Sequence, residues 1–211
     1  MRKTQFVAYL FAITALIAMP QAFAHHAIGG DTPTNFIQGL LSGLAHPVIG
    51  IDHLAFLVAM GVAAAITAHR VTAPLAFIAT TVAGCLLVAA GIQLPLVEIG
   101  VAVSVILIGA MVTSGREYRA ASYLSLFALA GIFHGSAYGG AILGAETNPL
   151  LAYLLGFAVI QLTIAVGVAT ITHRFSQKPR FEAVQPRLAG AVAAGVGVAI
   201  LIENIETLLV T

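Results

Sequence analysis

The sequence predicts an all-α integral membrane protein, a bundle of six transmembrane helices that follows a cleaved signal peptide. Three observations predict it. Hydrophobic residues make up 60% of the 211-residue chain and charged residues only 8%, whereas a soluble domain carries about a quarter charged side chains. The apolar residues fall into runs long enough to cross a bilayer, which takes roughly 20 residues. The basic residues after position 3 are confined to the segments between alternate runs.

The elements follow in order. Met1-Arg-Lys, the apolar stretch Phe6 to Met19, a break at Pro20 and Ala22-Phe-Ala24 form the charged region, apolar region and small-residue cleavage site of a secretory signal peptide, residues 1–24. Cleavage after Ala24 makes His25 the first residue, followed by His26. An α-amine of pKa near 8 beside two imidazoles is able to chelate a divalent transition metal. Residues 25–47 read as an external segment, amphipathic from Phe36 to Leu44, suited either to lie in the interface or to pack over the bundle as a short helix. The six-helix domain, 48–211, then consists of apolar runs at about 48–68, 74–94, 95–114, 120–143, 149–172 and 188–210. Pro74, Pro95 and Pro149 stand near helix starts, where the missing N–H is harmless.

A cleaved signal leaves the mature N-terminus outside, which sets the side of every later loop. Arg70, Arg116, Arg119, Arg174, Lys178, Arg180 and Arg187 then all fall on the cytoplasmic side. That is the positive-inside pattern of a bacterial inner-membrane protein. An uncleaved anchor keeps the same orientation with one span more.

Composition also excludes chemistries. A single cysteine, Cys85, allows neither an internal disulfide nor a thiolate cluster, so any metal chemistry rests on nitrogen and oxygen. Lysine occurs only at positions 3 and 178, outside any glycine-rich phosphate loop. So few basic residues give no footing for nucleic acid.

The polar centre of the chain is His46-Pro-Val-Ile-Gly-Ile-Asp52-His53, at the start of the first run. An Asp at mid-membrane costs about 2.5–3.5 kcal/mol on insertion scales, and such residues usually mark an ion or substrate path. Pro47 suits a first helical position, with His46 at the N-cap. On one continuous helix His46, Gly50 and His53 share a face, Asp52 is turned about 100° from His53, and the two histidines lie roughly 10 Å apart along the axis. One ion can therefore take both only if the helix is broken between them. Asp52 and His53 form the inner pair, and His46 the outer ligand.

Counting along the spans places Glu98, His134 and the pair Glu203-Asn204 at a similar outer depth. In span four Gly131, Gly135 and Gly139 recur every fourth residue, which permits a close helix contact. His134 and Tyr138 are placed so that the phenol can hold the imidazole. Ser104, Gln161 and Thr163 suit interhelical hydrogen bonds, and Glu146 offers a further outer carboxylate. His69 and His173, beside arginines, belong to the interface.

With these residues in view, His46-Pro-x-x-Gly-x-Asp52-His53 resembles the signature of the HupE/UreJ family of nickel and cobalt permeases. Val97-Glu98-x-Gly100 with Ser104 is similar to that family's third span, and Phe133-His134-Gly135-x-Ala137 to its fourth. Here the fourth-span pattern His-Gly-x-Glu is replaced by Tyr138-Gly139-Gly140-Ala141, one imidazole and one carboxylate fewer. The resemblance implies a six-span secondary permease with His46, Asp52, His53, Glu98 and His134 on its pathway. The expectation is uptake of Ni²⁺ or Co²⁺, with Zn²⁺ as a further candidate ion, and with His25 and His26 collecting the ion outside. Imidazole with carboxylate suits such borderline ions. The ion is cargo rather than a prosthetic group, and the bilayer is the other partner. An intramembrane zinc hydrolase using the same His and Asp residues with Glu98 as base, or a structural assembly subunit, are the rival classes.

Overall fold

The computed structural model describes residues 31–67, 71–175 and 184–210, so the expected signal peptide and cleavage site fall outside the described residues. Within them the chain forms seven helices: α1 Phe36–Ile49, α2 Ile51–Ile66, α3 Thr72–Ala89, α4 Val97–Ser114, α5 Ala120–Gly140, α6 Thr147–Phe175 and α7 Val184–Val210. No strand occurs among the described residues. Helices α3 to α7 are each long and apolar enough to cross a membrane, and α1 with α2 passes the same test only as a pair bent by 75°. The chain is a multi-pass membrane protein with five such helices, or six crossings if the bent pair is one of them.

The first crossing departs from the expectation. His46 does not cap a helix at Pro47. The helix starts eleven residues earlier in the chain, where the Asn35 side chain accepts from the Gln38 N–H at 3.0 Å and the Gln38 side chain accepts from the Thr34 N–H at 2.9 Å. This reciprocal start resembles a capping box. Pro47 sits inside the last turn of α1, and the helix stops at Gly50, whose backbone is extended (φ −70°, ψ 106°). Gly50 caps both helices, donating to the His46 carbonyl at 3.1 Å and accepting from the Leu54 N–H at 2.9 Å. Of the two alternatives for the stretch Phe36 to Leu44, packing on the bundle as a helix is the one adopted, because Gly39 and Gly43 let α1 lie against the backbone of α6 at Pro149 and Tyr153.

Helix α3 ends at Ala89, short of the expected 94, in a Schellman arrangement: Ile92 donates to the Leu87 carbonyl and Gly91 to that of Val88, both at 2.9 Å, with Gly91 at φ 83°. The glycine stripe of α5 packs as its spacing predicts. Gly131 lies against Thr80, Gly135 against the Thr81 backbone and Gly139 against Val88, which brings α3 and α5 into close contact. Helix α1 pairs with α6 and α4 with α7, while α2 sits between α4, α6 and α7. Arg187 ties the start of α7 to the end of α4 through the Thr113 carbonyl at 2.9 Å.

The core around α2 is aromatic. Phe56 stacks on Phe77 (centroids 4.8 Å apart) and meets Phe127 edge-on at 6.2 Å, and Phe127 in turn touches Tyr123 at 6.1 Å. The rings form a buried column from His134 toward the loop that carries Arg116 and Arg119.

Candidate metal centre

The break at Gly50 brings the polar motif together. His46 is in the last turn of α1, and Asp52 and His53 are in the first turn of α2. A helix C-terminus carries partial negative charge and favours a cation, whereas an N-terminus favours a carboxylate. His46 and Asp52 therefore each sit at the helix end that suits them. Asp52 is held there by the His53 backbone N–H, which donates to Oδ1 at 2.7 Å. The broken helix also removes the axial separation of the two histidines, whose ring centroids are 5.9 Å apart.

His134 of α5 joins them. Its Nδ1 is 2.7 Å from His53 Nδ1, and its Nε2 is 2.9 Å from Ser104 Oγ of α4. Tyr153 of α6 places its hydroxyl 2.9 Å from His46 Nδ1 and 3.0 Å from the Tyr138 carbonyl. The Tyr138 ring lies against His53 and His46, at centroid distances of 4.3 and 4.9 Å. His46, Asp52, His53 and His134 are all at most 2% exposed.

A carbonyl only accepts, and this assigns the protons. Ser104 donates its single hydrogen to the Val101 carbonyl at 2.7 Å, so its oxygen accepts from His134 Nε2–H. His134 Nδ1 is then an acceptor, filled by His53 Nδ1–H. Likewise the Tyr153 hydroxyl donates to the Tyr138 carbonyl and accepts from His46 Nδ1–H. In this pattern His46 and His53 each donate from Nδ1, which turns Nε2 away from those partners. His53 Nε2 stands 4.0 Å from Asp52 Oδ1. An imidazole whose Nδ1–H is committed to a neighbour is the usual form of a metal-ligating histidine.

The structure gathers His46, Asp52, His53, His134 and Ser104, and not the other sequence candidates. Glu98 is exposed in the first turn of α4, where the helix N-terminus stabilises a carboxylate. It lies six residues before Ser104, roughly 9 Å along the axis. Glu203 and Glu146 are also exposed. His25, His26 and His69 lie outside the described residues, and His173 is exposed at the end of α6. Among the described residues no three His, Cys, Asp or Glu side chains already stand in ion-holding geometry.

Two side chains, Tyr138 and Thr163, behave differently from expectation. The Tyr138 phenol does not hold His134, because Ser104 and His53 take both ring nitrogens. Thr163 bonds within its own helix, to the Val159 carbonyl. Tyr153 was not singled out by the sequence. Its signal is a phenol in an apolar run, since a buried hydroxyl needs a partner. Tyr153→Phe removes the acceptor of His46 Nδ1–H, while the Tyr138 carbonyl keeps the Ala141 N–H, so a loss of about 1–3 kcal/mol is expected. An unchanged thermal midpoint for the detergent-solubilised variant would refute this.

The centre's residues fall in a region that known proteins share. A family model described as HupE / UreJ protein matches residues 13–200. The chain is also similar to Protein HupE of Rhizobium leguminosarum bv. viciae, 29% identical over 194 residues, or 89% of this chain and 94% of that protein. No solved structure matches.

Proposed function

The chain belongs to the HupE / UreJ family, and from that premise we propose that it is a secondary permease taking up Ni²⁺ or Co²⁺ across a bacterial inner membrane. The observation that carries this reading is the bonding pattern at the break. Two imidazoles from opposite sides of Gly50 have their Nδ1–H groups committed to Tyr153 and His134, beside a buried carboxylate. Broken helices whose ends meet mid-bundle are a recurrent way for transporters to build ion sites.

His46 Nε2, His53 Nε2 and Asp52 would take the ion, while His134 and Ser104 support His53. Because the donors do not yet converge, they must close around the ion by small rotations, as suits cargo that has to leave again. Glu98, with His25 and His26 on the external side, would collect the hydrated ion before it reaches His46. Imidazole and carboxylate favour a borderline divalent ion over copper(I) or magnesium. An inward-negative potential favours movement of a divalent ion by about 4.6 kcal/mol per 100 mV, with no nucleotide hydrolysis required.

The test is metal accumulation in cells expressing the protein, with nickel, cobalt and zinc supplied singly and in competition. Nickel or cobalt is expected to accumulate above the empty-vector level, with the other competing. Accumulation of neither ion above that level would overturn the proposal.

A further inference from the structure

Along α6, Tyr153, Phe157 and Gln161 recur at four-residue steps and so share one face. The first two face the centre: Tyr153 bonds His46, and Phe157 stacks on Tyr138 with centroids 5.6 Å apart. Gln161, one turn further, is fully buried. Neither its amide oxygen nor its amide nitrogen has a hydrogen-bond partner, and the same is true of the Tyr138 hydroxyl. The two side chains are neighbours close enough for the Tyr138 hydroxyl and the Gln161 amide to interact, but they do not form a well-aligned hydrogen bond. An interhelical clasp, the role that sequence suggests for Gln161, would have used these atoms. Buried polar groups are otherwise satisfied in folded proteins, and each exception calls for an explanation.

We propose that Gln161 and Tyr138 form a polar wall that receives a divalent cation still carrying part of its water shell. The inference rests on the permease reading and names how the same site holds its cargo. His46, His53 and Asp52 offer three donors, which leaves coordination positions on the ion filled by water. A metal-bound water is a stronger hydrogen-bond donor than bulk water, because the ion draws electron density from its oxygen. The matching groups are neutral acceptors, and Gln161 Oε1 and Tyr138 Oη supply them. Their neutrality matters, since a site on a transport path must bind well enough to load and weakly enough to release. A second carboxylate there would hold the ion too firmly.

The experiment is initial-rate uptake of nickel chloride over a range of concentrations, in cells expressing wild type, Gln161→Leu, Gln161→Glu or Tyr138→Phe, with membrane levels measured in parallel. Gln161→Leu keeps the volume and removes both polar atoms. It should raise the half-saturating nickel concentration about tenfold, in the range found for partners that support a metal site, with the maximal rate nearly kept. Tyr138→Phe should shift it in the same direction, whereas Gln161→Glu, which keeps an acceptor oxygen, should not raise it. An unshifted Gln161→Leu curve overturns the proposal, as does an equal rise in the half-saturating concentration for the Leu and Glu variants, which would mark a packing role. If Gln161→Leu fails to reach the membrane, Gln161→Met is read by the same criteria. A wild type that accumulates no nickel removes the permease reading itself, whereas a functional wild type with unaltered variants removes only the wall.

Discussion

Replacing His53 by alanine is expected to reduce nickel or cobalt accumulation to the empty-vector level. The loss should exceed the 10- to 100-fold typical of residues that merely support a metal site, thus about 100-fold or more. His53 lies at the crossing of the whole network: it bonds His134, packs under Tyr138, sets Asp52 through its backbone N–H and presents Nε2 beside that carboxylate. Alanine removes the nitrogen and leaves His134 Nδ1 without a donor. His53→Asn separates these effects, because its amide still offers a donor toward His134 but has nothing in place of Nε2. Failure of both variants at normal membrane levels would assign the defect to that nitrogen. Undiminished uptake by His53→Ala would refute the assignment of the site.

Gly50→Ala is expected to impair uptake about tenfold or more, although it changes no polar group, in line with disturbed support of a metal site. The backbone of Gly50 is extended and open to any residue, so the constraint is space. A Cβ there would lie 2.6 Å from His53 Cδ2 and 3.2 Å from Asp52 Oδ1. The imidazole cannot swing aside freely, since His134 and Tyr138 hold it. The ring or the break itself must shift by roughly 1 Å, and a site loosened on that scale commonly fails. Uptake equal to wild type by a well-expressed Gly50→Ala protein would show that the break tolerates this displacement.

How far the sequence reveals this arrangement depends on the residue. The spans are legible because length and apolarity are local properties, and the glycines of α5 because their spacing alone defines a stripe. The break at Gly50 is not. Pro47 is a strong helix-start signal, and the rival start at Asn35 is a short polar motif ahead of a glycine-containing helix. The argument that both histidines can serve one ion only if the helix is broken nevertheless states the condition that the fold meets. Counting residues estimates height and does not give direction, which is why His134 turns inward to His53 while Glu98, on a neighbouring span, is exposed. Tyr153 remained hidden because its partner, His46, is more than a hundred positions away in the chain.

Linked hydroxyls and imidazoles such as Ser104, His134 and His53 make a ready proton wire. The wire ends at Ser104, whose hydrogen is spent on the Val101 carbonyl, and Phe56 and Phe77, whose rings lie 4.6 and 5.5 Å from the His134 imidazole, carry nothing onto which a proton can hop. On the permease reading, a resting carrier built this way would be insulated: the hydrocarbon column would keep hydrogen ions from short-circuiting the membrane through the groups proposed to handle the cargo.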